Sequence, residues 1–281
     1  MNRKIKMIGL DLDGTLLTTD KRITPYTKNV LEKVMAQGVE VLVATGRPIS
    51  AVPKEILEIP GMRYALTSNS ARVLDLETQE VVQASMLPME TAERFLDILD
   101  HYDAIQEIFI DGVAYVRSRE LGRVYDYFLN PSMAEYVLNT RVHVEDVRTV
   151  LHEKQLPVDK VHGMFKNEED MKAAYQEMKD IEGVVIASSI GNNWEINKEG
   201  TDKGQGLLRL GEMLGIKREE IMACGDGMND LEMMKAVGFS VAMENGVDAV
   251  KEVADYVTQS NDEDGVAKAI EKFVLNQKEE R

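Results

Sequence analysis

The chain has 281 residues, 49 acidic and 33 basic, with four histidines and one cysteine. A formal charge of −16 opposes nonspecific binding to nucleic acid or anionic lipid, which need a basic surface, and one cysteine excludes an internal disulfide or a four-thiolate zinc site. With 44% hydrophobic and 29% charged residues, the composition is globular, the length allows one large or two modest domains, and a reducing, cytoplasmic setting is expected.

The first elements alternate. Ile5 to Leu10, Val39 to Ala44 and Tyr64 to Leu66 are short apolar runs. Between them, Pro25 to Gln37 carries Val30, Leu31, Val34 and Met35 at helical spacing, with Gly38 as a C-cap, and a second helix is predicted over Ile49 to Leu57 after Pro48. Apolar strands alternating with helices predict a parallel sheet covered on both faces. No run of about 18 apolar residues occurs, so no membrane partner is expected.

Ser85 to Ile190 has a different pattern. Ile105 to Ile110 turns at Asp111-Gly112 into Val113 to Arg117, a hairpin signal, and helical stretches at Thr91 to Leu99, Glu145 to His152 and Glu168 to Met178 lie between more polar strands. From about residue 200 the first pattern returns. Leu207, Leu210, Gly211 and Leu214 form a helical stripe; Ile221 to Cys224 and Ser240 to Met243 read as strands, Met228 to Val237 and Val247 to Ala254 as helices, before Tyr256 to Thr258 and Val266 to Leu275. The predicted architecture is a Rossmann-like parallel α/β core, residues 1–84 and 191–281, interrupted by an α+β domain at 85–190 that is expected to dock as a lid.

In such sheets ligands bind beyond the carboxyl ends of the strands. The apolar runs are followed by Asp11-Leu12-Asp13-Gly14-Thr15, by Thr45-Gly46-Arg47, by Ser68-Asn69-Ser70 and by Gly225-Asp226-Gly227-Met228-Asn229-Asp230. Four carboxylates, from Asp11, Asp13, Asp226 and Asp230, would therefore converge on one edge. Grouped carboxylates repel unless a cation sits among them, and an all-oxygen donor set suits Mg²⁺, not zinc. Lys203 stands just inside a helix start capped by Asp202, where a cation and free amides together suit a phosphate. Thr45 and Gly46 are expected to open onto another helix and offer the same anion a hydroxyl and backbone amides. Singly, each residue has a plainer reading: Asp11 and Asp13 as solvated turn residues, Thr45 as an N-cap, Lys203 as a surface lysine, Arg47 as the partner of a surface acid. Their coincidence at one sheet edge decides for the site.

These residues, in this order, resemble the four motifs of the haloacid dehalogenase-like phosphatase superfamily. The insert between the second and third motifs makes the chain similar to its Cof-type sugar phosphatases with a type IIB cap. That resemblance implies a phosphoric monoester hydrolase acting on a small phosphorylated metabolite, as monomer or homodimer. Asp11 would be the nucleophile and Asp13 the general acid and base. Asp11, the Asp13 backbone carbonyl and Asp226 would hold Mg²⁺, and Asp230 would orient a metal water or Lys203. Leu12 (through its amide), Thr45, Gly46, Lys203 and Asn229 would hold the phosphate.

Relatives usually carry Asn-Gly-Ala where this chain has Asn69-Ser70-Ala71, so Asn69 is a candidate substrate contact beside a side chain that glycine would lack. Asn192 and Asn193 are candidates too, where the insert rejoins the core. Cys224 reads as a small buried residue, and the four histidines share no motif. The alternatives are a sugar-phosphate phosphomutase and a catalytically silent ligand-binding homologue; released orthophosphate distinguishes the hydrolase from both.

Overall fold

The computed structural model describes residues 4–128 and 131–276. In chain order, α/β alternation comes first: β1 (Met7–Leu10), α1 (Pro25–Ala36), β2 (Glu40–Ala44), α2 (Lys54–Leu57), β3 (Tyr64–Thr67), then β4 (Arg72–Asp75) and β5 (Glu80–Ala84). The middle contains α3 (Met89–Leu99), β6 (Ala104–Ile110), β7 (Val113–Arg117), α4 (Ser118–Leu121), α5 (Pro131–Thr140), β8 (Val142–Val144), α6 (Val147–Lys154), β9 (Lys160–Phe165), α7 (Glu168–Met178), β10 (Val184–Ala187) and β11 (Asn193–Lys198). Alternation then resumes with α8 (Lys203–Leu214), β12 (Ile221–Gly225), α9 (Leu231–Ala236), β13 (Phe239–Ala242), α10 (Asp248–Val253), β14 (Tyr256–Val257) and α11 (Gly265–Ile270).

Two compact units result: residues 1–46, 52–83 and 202–281 form the first, and residues 47–51 and 84–201 the second. The first holds an eight-stranded sheet in the order β14-β13-β12-β1-β2-β3-β4-β5. Its strands run parallel from β14 to β3 and β4 returns antiparallel. Successive strands move outward from β1 in opposite directions, so β1 and β12 flank a topological switch point, where α/β sheets open a binding crevice. Register aligns the two strand ends, with Leu10 beside Cys224.

Local chemistry explains these elements. Thr24 caps α1, accepting from Thr27 N at 3.0 Å, ahead of Pro25 in the first turn; Gly38, at φ +83°, ends the turn that follows. Met7, Leu42, Leu66, Leu207, Ile221 and Met233 share one buried cluster. The fit of α8 on β1 depends on Gly9, where a β-carbon would lie 2.5 Å from Leu207.

The second unit is α+β, with a sheet ordered β10-β11-β9-β6-β7-β8, antiparallel except for the β7–β8 pair. The expected hairpin turns at Asp111 and Gly112, both left-handed at φ +55° and +73°, as two-residue hairpin turns require. Phe95, Leu99, Ile108, Leu151 and Phe165 pack in one buried cluster, and Ile105, Val116, Tyr127, Val137 and Met164 in another.

Two expectations need correction. Residues 191–201 belong to the second unit, not the α/β core, because β11 pairs with β10 and β9. The helix predicted over 49–57 is a 3₁₀ turn at Ile49–Ala51 and, after Pro53, the single turn of α2; proline has no amide to continue the ladder.

Candidate active site

Asp11 follows β1 and is 5% exposed; its amide donates to Cys224 O at 3.0 Å, tying the β1 end to β12. The chain then turns sharply, with Leu17 N donating to Leu12 O at 2.8 Å. Gly14 has φ +82°, and a β-carbon there would lie 2.4 Å from Asp226 Oδ2, so only glycine lets the turn pass this carboxylate. Thr15 Oγ1 donates to Asp226 Oδ1 at 2.8 Å, and Asn245 Nδ2 holds Gly14 O at 2.8 Å.

After β12, Asp230 organises the second acidic loop. Its Oδ2 accepts from the Asp226 and Gly227 amides, each at 2.9 Å. Gly225 is required beneath it: a β-carbon there would sit 2.7 Å from Asp230 Cβ.

Lys203 connects the two loops. Its side chain is fully buried in the first turn of α8, and Nζ lies 2.5 Å from Asp11 Oδ1 and 2.6 Å from Asp230 Oδ1. Burial opposes its charge, but the carboxylates of Asp11 and Asp230 outweigh burial and raise the ammonium's pKa. Burial, followed by repulsion from Asp230, Asp226 and Asp13, lifts the Asp11 carboxyl well above the usual range despite Lys203. Asp226 is pushed up to about 6, by burial first and Asp230 second. Asp11 and Asp230 share the single Lys203 ammonium, so with Asp226 the three carboxylates carry more negative charge than this one cation offsets. One carboxylate oxygen from each of Asp11, Asp226 and Asp230 lies within 4.8 Å of the other two. These hard oxygen donors, short of positive charge, fit a small divalent cation.

Asp13 is partly exposed and pairs with Lys21 Nζ at 2.6 Å. Neither Lys21 nor the Thr15 bond to Asp226 is among the sequence expectations: Thr15 lies inside the first acidic motif, while Lys21 reaches Asp13 through a left-handed turn, φ +60°, which no local pattern marks. Thr45 is buried; its amide donates to Leu66 O at 2.9 Å and its carbonyl accepts from Asn69 N at 3.0 Å. Thr45 therefore joins two strand ends, and Thr45 and Gly46 do not open a helix as expected, since the next helical turn begins only at Ile49. Asn229 occupies the 3₁₀ turn Met228–Asp230 beside these carboxylates.

The two asparagines near residue 192 are engaged within the second unit. Asn192 Nδ2 donates to Tyr127 O and Phe165 O. Asn193, fully buried, accepts from Ser188 Oγ and from the Ser189 and Ile190 amides. Both residues secure that fold. Arg47 is buried in the second unit, donating to Ala51 O at 2.9 Å and lying over the Tyr136 ring; it is not the surface pair of the plainer reading. Cys224 is buried and its thiol is pushed up to about 12 by that burial, which removes it as a nucleophile.

The arrangement therefore joins a buried carboxylate and ammonium, a more exposed acid, and an oxygen cluster suited to a cation. A family model for haloacid dehalogenase-like hydrolases matches residues 8–270. The chain belongs to that family. The hydrolase is 31% identical over 283 residues to the 5-amino-6-(5-phospho-D-ribitylamino)uracil phosphatase YitU of Bacillus subtilis, covering 97% of this chain and 99% of the relative. Its fold matches a haloacid dehalogenase-like hydrolase structure from B. subtilis with a TM-score of 0.85, at 28% identity, over 96% of this chain and 100% of that one. A subclass IIB sugar phosphatase, BT4131, matches with a TM-score of 0.79, at 25% identity, over 95% and 98% of the two chains. This hydrolase is accordingly a phosphatase with the superfamily's α/β fold and an inserted α+β unit.

Proposed function

We propose that this phosphatase is Mg²⁺-dependent and hydrolyses small phosphorylated metabolites, above all sugar phosphates, through an aspartyl-phosphate. The observation that carries the mechanism is the buried contact of Lys203 with Asp11 inside a carboxylate cluster. Asp11 attacks phosphorus, so that a P–O bond forms to its carboxylate as the ester P–O bond breaks. Asp13 gives its proton to the departing alkoxide. It then takes one from the water that attacks the aspartyl-phosphate, returning Asp11 and releasing orthophosphate. Its partial exposure suits a group that exchanges protons with substrate and water.

Lys203 neutralises Asp11 before attack and, with the Leu12 amide, Thr45, Gly46 and Asn229, offers donors to the phosphate oxygens. Asp11, Asp226 and the Asp13 carbonyl would hold Mg²⁺, with Asp230 fixing Lys203 and the 226–227 loop. When bound, the ion supplies positive charge that offsets repulsion between an anionic nucleophile and an anionic phosphate. Support for sugar phosphates comes from likeness to the IIB sugar phosphatase and to a phosphatase of a phosphoribityl compound. Asn69 remains the substrate candidate in the first unit. The single buried thiol fits a cytoplasmic setting.

The test is orthophosphate release from p-nitrophenyl phosphate and a panel of sugar phosphates. Turnover is expected with Mg²⁺, loss with EDTA, and at least a thousandfold loss in Asp11→Asn, roughly what removal of a nucleophile costs, in a protein that circular dichroism shows is still folded. Undiminished turnover in Asp11→Asn would exclude the aspartyl-phosphate route. Asp13→Asn is expected to slow the acid- and base-dependent steps by about 10²–10⁴-fold.

A further inference from the structure

Immediately after β3, Ser68, Asn69 and Ser70 have φ of +49°, +59° and +79°. Three consecutive non-glycine residues in the left-handed region require external restraint, because each pays a steric cost there. All three are buried. One restraint is the Asn69 amide bond to Thr45 O; another is the Ser70 hydroxyl, which donates to the Asp202 carbonyl at 2.7 Å. That carbonyl belongs to the N-cap of α8 and also accepts from Gly206 N at 3.0 Å, a bond of the first helical turn. The next residue is Lys203, whose ammonium holds Asp11.

Helix α8 is shaped to receive this hydroxyl. Gly206 leaves the space Ser70 occupies: a β-carbon at 206 would lie 2.4 Å from Ser70 Cβ and 2.5 Å from a Leu66 methyl. From the following turn, Arg209 Nη2 approaches Ser70 Oγ at 3.4 Å. Ser70 is 1% exposed, so it meets α8 and not solvent.

We infer that Ser70 is a positioning residue for phosphoryl transfer, its hydroxyl locking the left-handed segment after β3 to the helix start that places Lys203 against Asp11; this role rests on the phosphatase reading above. The hydroxyl acts only through the groups it aligns. Removing it lets the 68–70 segment and the α8 start move independently, and Lys203 loses a fixed distance to Asp11. The β-carbon has the opposite effect on stability, since at φ +79° it strains the backbone.

These two effects separate in two variants assayed with p-nitrophenyl phosphate and Mg²⁺, with Asp11→Asn as the blank. Ser70→Gly removes hydroxyl and strain together, so its thermal midpoint is expected within about 2 °C of wild type, relief of strain offsetting the lost bond and the entropy of glycine. Its kcat should nevertheless fall about three- to tenfold, the effect of one hydrogen bond, with KM changed less than about twofold. Ser70→Ala keeps the strain and loses the bond, so the same fall in kcat should accompany a midpoint about 2–4 °C lower. Equal loss of kcat in two variants of unequal stability supports positioning, because a purely structural role would make activity follow the midpoint. Wild-type kcat in Ser70→Gly, or activity that tracks stability across the pair, overturns the inference and leaves the phosphatase reading intact. A wild-type enzyme that releases no orthophosphate from any phosphate ester overturns both.

Discussion

An ammonium with no exposed surface is tolerated only where opposite charges and hydrogen bonds replace water. Lys203 meets that condition through Asp11 and Asp230 at 2.5 and 2.6 Å, and the same contacts prepare Asp11 for attack. Asp13 pairs with Lys21, whereas Asp226 is raised by burial and by Asp230, which leads to a test at Asp226. In metal-free buffer, Asp226→Asn should be at least as stable as wild type, because it removes a charge that burial and Asp230 already disfavour. Wild type should gain several degrees in thermal midpoint on adding Mg²⁺, since a ligand at about 100 Kd contributes about 2.7 kcal/mol. The variant should lose most of that gain. An equal Mg²⁺ shift in the two proteins would remove Asp226 from the metal site. At this scale the sequence was most informative about Asp11, Asp13, Asp226 and Asp230, because short motifs carry their spacing. It was silent about Lys21, whose partner Asp13 is reached by a turn without a local signal, and it suggested a substrate role for Asn193, whose side chain closes the loop before β11.

Among the elements, the parallel strands and the longer helices were legible from apolar period and capping: Glu168–Met178 starts after Asn167, which accepts from Asp170 N at 2.8 Å. Short elements were not, because one turn has no period to read; Pro53 splits the segment predicted as a single helix. The faces of the second sheet were equally hidden. Glu107, in β6, is fully buried, with Arg141 Nε at 2.8 Å from Oε1 and His162 Nδ1 at 2.6 Å from Oε2. Burial would raise its pKa, but Arg141 and His162 outweigh burial and lower it from 4.5 to about 2. A carboxyl depressed by folding contributes stability that is complete above its unfolded value and is lost as pH falls through the folded one. Acid titration of stability should therefore show a contribution on the order of 3 kcal/mol disappearing between about pH 5 and pH 2. Glu107→Gln should flatten that limb and destabilise the protein at pH 7 by about 3–5 kcal/mol, having left Arg141 buried without its anion. A titration slope unchanged by the substitution would show that Glu107 does not titrate in this window.

For the whole molecule, a charge of −16 sets a long-range field that repels anions, while Lys203, the loop amides and a bound cation would attract a phosphate over a few ångströms. Salt screens exposed charges beyond about 10 Å at 0.1 M and buried ones much less. Raising ionic strength from about 0.02 to about 0.2 M at saturating Mg²⁺ should therefore increase kcat/KM for a dianionic ester, by reducing repulsion during encounter. A fall would show that attraction at the site extends into solvent and dominates the encounter. Taken alone, the amino-acid sequence determined the fold class and the chemical nature of the site, since apolar period and motif spacing are local properties. The tertiary structure decided the rest: that Lys203 is buried against an aspartate 192 positions away, that residues 191–201 complete the second sheet, and that Ser70 fits the notch left by Gly206. Burial, charge state and fit depend on which distant segments meet, and only packing brings those segments together.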